Sequence, residues 1–262
     1  MVSQVVSRLA PTPNGEIHWG NLMNFALTWA YVRQSGGKLW LRFDDVDQDR
    51  CEEKYAEGIR KILEYLGIFW DEEYSHQFRQ LESYRQFLTS LPHFVCECSR
   101  QDIYHRTGAY YYDGYCRKKN LAYQPGQHAL RFLNPRSVQG DFVLWRRENI
   151  PAYHLTSLYD DINLGVTLII RGEDLRESTL IQQELSQTLP GDPLGKVKFI
   201  HHPLLTTPGG EKLAKSRQDG YLMALMEQGI GAKEIWSELS GLMNLPRSLN
   251  SANDLLALKL SM

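Results

Sequence analysis

The chain lacks any apolar run near the roughly 20 residues that a membrane-spanning helix needs, which excludes a helical integral membrane protein. It also lacks the charged-then-apolar leader of an exported chain, so the expected location is the cytoplasm, with no membrane partner. No one sign of charge dominates: 29 Lys and Arg face 31 Asp and Glu, for a formal charge of −2. The total does not advertise a polyanion partner, although a local basic patch can bind nucleic acid under a neutral sum. Internal repeats and low-complexity segments are missing, which excludes solenoids and long disordered linkers. Cysteine is scarce, with four in 262 residues. Cys51 stands alone, whereas Cys96, Cys98 and Cys116 are close together, which argues for a metal site rather than a disulfide framework.

What is present suits a packed globular core, with 42% apolar and 23% charged residues. Residues 4–9 read as an apolar strand. Pro11, Pro13 and Gly15 then force a sharp turn. Residues 21–34 carry Leu22, Phe25, Ala26, Trp29 and Ala30 at helical spacing, and Met23 and Leu27 widen the stripe, so the helix is expected to be buried on more than one side. Gly36 and Gly37 end it, and 38–43 read as a second strand, completing the strand–helix–strand pattern of a parallel sheet. Helices are expected at about 52–67 and 77–90, and a brief strand at 94–96. Residues 99–128 show no clear period and read as irregular. Strands follow at 128–132 and 141–146, and a helix at 153–161. Residues 166–171 are apolar up to Arg171, as a buried central parallel strand should be. A helix to about 188, a last strand at 198–202 and a short helical tail over 219–262 complete the pattern.

Two stretches carry chemistry. A strand, a tight turn and a helix start make an anion site, because free backbone N–H groups and the helix dipole both favour negative charge. His18 can donate a hydrogen bond there, and Gly20 lets a ligand approach the backbone. Alone, the pair reads equally well as a surface histidine and a helix-start glycine. The second stretch, Gly209-Gly210-Glu211-Lys212-Leu213-Ala214-Lys215-Ser216-Arg217, places cations after a glycine pair, where they can close over a triphosphate. Alone, it also reads as an ordinary solvated basic loop.

Together these stretches are far more specific. Pro-Thr-Pro-Asn-Gly-Glu-Ile-His-Trp-Gly over 11–20 resembles the "HIGH" signature of class I aminoacyl-tRNA synthetases, and Lys-Leu-Ala-Lys-Ser over 212–216 resembles their "KMSKS" loop. Arg8 to Gly15 and Leu41-Arg42-Phe43-Asp44-Asp45-Val46-Asp47 are similar to the glutamyl branch, and the resemblance covers essentially the whole chain. It implies an α/β fold: a class I synthetase Rossmann-type parallel sheet with a zinc-bearing insert and a short helical C-terminal part. The expected division is 1–90 and 129–205 as the two halves of the catalytic domain, 91–128 as the insert, and 206–262 as lysine loop and tail. About 45 residues follow Arg217, where full-length members carry a large anticodon-binding portion. The resemblance is therefore to truncated paralogues that activate glutamate with ATP without tRNA and esterify it to queuosine in the tRNA(Asp) anticodon. Partners would be glutamate, ATP with companion Mg2+ on the pyrophosphate, and that anticodon stem-loop, with the protein a monomer. A stand-alone amino-acid-activating ligase and a non-catalytic tRNA-binding module are the alternatives.

The resemblance assigns His18 and Lys215 to catalysis, and His18, Gly20, Asn21, Lys212 and Lys215 to ATP. It assigns Arg8, Leu9, Ala10, Pro11, Thr12, Asp44, Tyr153 and Arg171 to glutamate. Arginine suits the carboxylates because a guanidinium grips them bidentately. Arg171 also reads as a strand-end ion pair with Glu173 or Asp174, and Tyr153 as a half-buried aromatic at a helix start. Asp44 stands where the family usually has Glu, Asn21 where synthetases often have His, and Ala214 replaces the loop serine. Cys96, Cys98 and Cys116 suit Zn2+, which takes four ligands in a structural site. The resemblance supplies Tyr112 as the fourth, and His105 is the chemically ordinary alternative; three reduced thiols without metal also fit.

Overall fold

The computed structural model describes residues 4–134, 140–205 and 221–258. In chain order its elements are β1 (Val6–Leu9), α1 (Trp19–Gln34), β2 (Lys38–Leu41), α2 (Glu53–Tyr65), β3 (Glu72–Glu73), α3 (Leu81–Thr89), β4 (His93–Cys96), α4 (Arg100–Thr107), β5 (Ala129–Phe132), β6 (Val143–Trp145), α5 (Tyr153–Asn163), β7 (Leu168–Gly172), α6 (Arg176–Gln187), β8 (Lys198–His202), α7 (Leu222–Glu227), α8 (Ala232–Leu242) and α9 (Ala252–Leu256). Two compact units result: Met1–His76 with Gly165–Arg176 and Val197–Met262, and Gln77–Leu164 with Glu177–Lys196. No helix among the described residues is long and apolar enough to cross a membrane.

The first unit is built on parallel strands. β1 pairs with β2, β2 with β3, and β7 with β8, each in parallel. The Thr167 N–H donates to the Val6 carbonyl and the Val6 N–H to Thr167 Oγ1, both at 2.9 Å, which seats β7 beside β1. The spatial order is therefore β3-β2-β1-β7-β8. β7 is buried over its first four residues, as its unbroken apolar run requires. α1 packs on β1 and β7, and also on α9, so Leu22, Phe25, Ala26, Trp29 and Ala30 are buried along with Met23 and Leu27. The Gln34 side chain donates to the carbonyls of Leu256 and Leu258 at 2.9 and 2.7 Å. Ile235, Trp236, Leu239 and Leu255 share one apolar core with Leu9 and Leu22, so the tail completes this unit rather than trailing from it.

The second unit holds an antiparallel sheet, β4-β5-β6, with α3 packed on α5 through the rings of Tyr84, Phe87 and Tyr159. The buried Asp160 carboxylate accepts from Gln77 at 2.7 Å and Tyr84 at 2.9 Å, as a buried charge requires. The expected second half of the catalytic domain, 129–205, runs through both units. β5, buried along its whole length, pairs with β4 on one side and β6 on the other, in an antiparallel meander. The stretch read as irregular opens with α4. Ser99 Oγ accepts from the Asp102 N–H at 3.1 Å, and the Asp102 carboxylate accepts from the Ser99 N–H at 2.7 Å. Gly108, at φ 70°, closes the helix in the left-handed region.

Candidate active site and thiol cluster

In a parallel sheet of this order, ligands bind outside the carboxyl ends of the strands, where the chain path reverses direction across the sheet. That point lies between β1 and β7. Leu9 ends β1, and Arg171 is the penultimate residue of β7. His18 opens α1, and Asp44 follows β2. The sequence-predicted residues Arg8, Leu9, Ala10, Pro11, Thr12, His18, Gly20, Asn21, Asp44 and Arg171 thus all belong to the first unit. Leu9 and Pro11 are buried, Ala10 is half-buried and Thr12 is exposed. Tyr153 opens α5 in the second unit, its ring edge-on to His154. Lys212, Ala214 and Lys215 lie outside the described residues.

α1 starts two residues earlier than its apolar period suggests, because His18 is its N-cap. His18 Nδ1 accepts from the Gly20 N–H at 3.1 Å, and Asn21 Oδ1 accepts from the His18 N–H at 3.2 Å. An accepting Nδ1 leaves the ring proton on Nε2, so the neutral imidazole is a donor through Nε2. A Cβ at position 20 would stand 3.0 Å from His18 Cε1 and 3.2 Å from Nδ1. The missing side chain at Gly20 therefore serves the approach of the ring to its own helix. Tyr221 forms an antiparallel bridge with His18, and the Leu222 N–H donates to the Ile17 carbonyl at 3.2 Å.

The loops after β1 and β2 are tied together. The Asp44 N–H donates to the Pro11 carbonyl at 2.9 Å, and the Glu52 N–H to Pro13 at 3.0 Å. Arg42, fully buried, donates from Nε to Asp44 Oδ1 at 2.8 Å. Residues two apart on an extended chain share a face, so the Arg42–Asp44 spacing was a signal of this pairing that sequence reasoning missed. Arg8 and Arg171 are also buried, at 6% and 3% exposure, and the Arg171 guanidinium lies 5.2 Å over the Phe199 ring. Buried cations at strand ends suit anionic substrate groups. Glu173 pairs with Arg176 at 3.3 Å.

Asn24 and His202 were also missed. The Asn24 amide donates to the Ile170 carbonyl at 3.1 Å and lies 3.1 Å from His202 Nε2. His202 Nδ1 lies 2.9 Å from the Pro203 carbonyl. With Nδ1 donating and Nε2 accepting, the ring is neutral and ties α1 to the ends of β7 and β8. Burial pulls the His202 pKa below its ordinary value.

In the second unit the Sγ atoms of Cys96, Cys98 and Cys116 all lie within 4.8 Å of one another and are buried. Cys98 and Cys116 are 3.5 Å apart. This donor set fits zinc, whose thiolates sit at about 2.3 Å around a tetrahedron. Tyr112 is 8% exposed, its hydroxyl 3.5 Å from Cys96 Sγ and accepting from the Cys116 N–H at 2.8 Å. His105 is exposed and stands outside the thiol group. Arg131 donates to Cys96 Sγ at 3.3 Å and Arg106 to Cys98 Sγ at 3.4 Å; neither had a local sequence signal. Burial opposes ionisation of Cys96, but the Tyr112 hydroxyl and Arg131 outweigh it and hold its thiol below the usual value. Burial and the Cys116 thiol push Cys98 up to about 12.

Residues 4–123 and 127–233 match the family described as tRNA synthetases class I (E and Q), catalytic domain. A glutamyl-Q tRNA(Asp) synthetase of Nitratidesulfovibrio vulgaris is 33% identical over 276 residues, covering 89% of this chain and 84% of the relative. One of Methylococcus capsulatus is 35% identical, covering 79% and 74%. Among solved structures, a glutamate tRNA ligase from Elizabethkingia meningosepticum in complex with its amino acid superposes with a TM-score of 0.73 at 20% identity, over 97% of this chain. A glutamate-tRNA synthetase from Elizabethkingia anophelis gives 0.70 at 22% identity, over 83%. This chain spans 64% and 54% of the length of those two chains. At these identities the superpositions bear on the fold.

Proposed function

The chain belongs to the class I tRNA synthetases of the E and Q type, among the glutamyl-Q tRNA(Asp) synthetases, and is a ligase; from that premise we propose that it activates glutamate with ATP as glutamyl-adenylate without tRNA, then transfers glutamate to queuosine in the tRNA(Asp) anticodon. The observation that carries the reading is the N-cap of α1, where Gly20 fixes His18 with Nε2 as donor beside the carboxyl end of β1. That supports a role for His18 on the phosphates of ATP, with Asn21 holding the cap and Lys212 and Lys215 supplying cations.

Arg8 and Arg171 grip the carboxylates of glutamate, and Asp44, anchored by Arg42, receives its ammonium group. Tyr153 adds a hydrogen bond to the amino acid. The glutamate carboxylate attacks the α-phosphorus of ATP in line, and pyrophosphate leaves; Mg2+ would neutralise charge on the leaving pyrophosphate. The protein contributes positioning and charge stabilisation rather than a covalent nucleophile. Cys96, Cys98, Cys116 and Tyr112 would hold Zn2+, which would supply a structural cross-link within the second unit.

The test is amino-acid-dependent exchange of pyrophosphate into ATP, run across all amino acids without tRNA. Exchange with glutamate, followed by label transfer to queuosine-containing tRNA(Asp), is the expected result. Exchange without transfer overturns the acceptor, and no exchange with any amino acid overturns the reaction.

A further inference from the structure

Large apolar side chains left exposed among the described residues concentrate in one stretch. Tyr104 is 47% exposed, Tyr110 74%, Tyr111 66% and Tyr115 51%. Scattered exposed aromatics are ordinary, but a cluster marks an interaction surface. The Tyr104 and Tyr110 rings lie 5.2 Å apart at 33°. Tyr115 carries Arg106 at 4.3 Å and Lys119 at 3.8 Å from its ring centre.

The base beneath these rings is firm. Tyr112, between exposed Tyr111 and Asp113 in the chain, is buried and holds the Cys116 N–H. Arg106 bridges to Asp113 at 2.8 Å, and the Tyr115 N–H donates to the same carboxylate at 3.3 Å. The exposed rings are thus mounted on the thiol cluster, and little ordering remains to oppose binding.

Charge decides the kind of partner. Residues 100–119 carry five cations and two carboxylates, in a chain whose total is −2; Arg106, Arg117 and Lys119 pair with Asp113, Asp141 and Glu97, and Arg100 and Lys118 stand outside these pairs. An apolar protein partner would leave Arg100 and Lys118 unmatched. Flat aromatic faces among cations suit unpaired nucleotides, whose bases stack on the rings while phosphates meet the charges.

The geometry points to a stacking platform, with Tyr110 and Tyr111 as its most exposed rings, for unpaired bases of the RNA substrate's anticodon loop. This rests on the reading of tRNA(Asp) as acceptor. Tyr104 backs Tyr110, and Lys118 contributes a phosphate contact.

The experiment uses the full chain and a stem-loop RNA of tRNA(Asp) anticodon sequence with 2-aminopurine in the loop. Binding by the native protein quenches the fluorophore. The double variant Tyr110→Ala/Tyr111→Ala raises Kd by about tenfold or more, and Tyr110→Phe/Tyr111→Phe stays within about threefold, because stacking needs the ring and not the hydroxyl. Lys118→Ala lowers the slope of log K against log salt by about one. Both rings are exposed, so circular dichroism of the double-alanine variant should match the native protein; if it does not, the phenylalanine and Lys118 arms still decide. Native-like affinity of the double-alanine variant overturns the platform. So does an equal loss in the phenylalanine variant, or equal competition by a blunt duplex. Glutamate-dependent exchange without RNA quenching sinks the platform and leaves the adenylation reading standing. Quenching without exchange does the reverse.

Discussion

His18 and the thiol cluster both carry candidate chemistry, but different forces hold them. His18 is fixed by two hydrogen bonds inside the first turn of a helix, and that helix is packed on strands and on α9. Its support is a large apolar core running from Leu9 to Leu255. The thiol cluster rests on a small core of Phe94, Cys96, Cys98, Ile103, Tyr112 and Cys116. Its sulfur atoms are held by Arg106, Arg131 and one another, contacts far weaker than a metal ion would make. The first region should tolerate changes in solvent and ligand, whereas the second should depend on what its sulfurs hold.

The two regions part most widely at Arg171. Replacing this buried cation by alanine should lower glutamate-dependent pyrophosphate exchange by at least about a hundredfold, as truncation of a buried charge-pair partner does. Unchanged exchange in Arg171→Ala would remove it from the site. Next in size is metal removal. Chelation should lower the unfolding temperature of the second unit by about 10 °C or more and open 97–119 to protease, with fragments of the first unit surviving. Equal loss in both units would mean that the metal supports the whole chain rather than the second unit. A third change sharpens the contrast, because two effects oppose each other. Gly20→Ala improves helix propensity by about 1 kcal/mol, yet its Cβ meets the His18 ring at 3.0 Å. Exchange should fall about tenfold while thermal stability holds or rises; a parallel fall of both would mean that the cap is only structural.

The smallest effect is a pH slope. Burial depresses the pKa of His202 from its ordinary 6.5. The unfolded chain then binds the proton more readily, so this contribution to stability is present above about pH 6.5 and is lost as pH falls through the lower folded value. Urea midpoints measured from pH 7 to pH 5 should fall, and His202→Gln should flatten that fall. A variant with the native slope would place the effect elsewhere, His201 being depressed by burial and by Arg171 as well.

Legibility in the sequence follows the same division. β8 was readable to the residue, and α1 and β7 nearly so, because burial imposes a period or an unbroken apolar run on the chain. The thiols were visible by spacing. What escaped was pairing across distance: β4 with β5 and β6, and Arg131 with Cys96, 35 residues apart. A single sequence carries no local mark of such partners. α4 escaped for a different reason, since only Ile103 of its residues is buried and no apolar stripe betrayed it. Its capping residues, Ser99 and Asp102 with Gly108 behind, were the legible signal.

The shared core of Leu9, Leu22, Trp236 and Leu255 has a consequence in time. A chain leaves the ribosome from its first residue onward, at about 5–20 residues per second. The opening strand and helix must wait for α8 and α9 before their apolar faces are covered. The second unit, complete at Lys196, has all of its own residues earlier. The unit that holds β1 and α1 is thus the last to finish, and for about 11–45 s the nascent chain carries Trp29 and its neighbours uncovered. Release of the chain before Leu255 would leave that surface open to aggregation, however sound the remainder of the sequence.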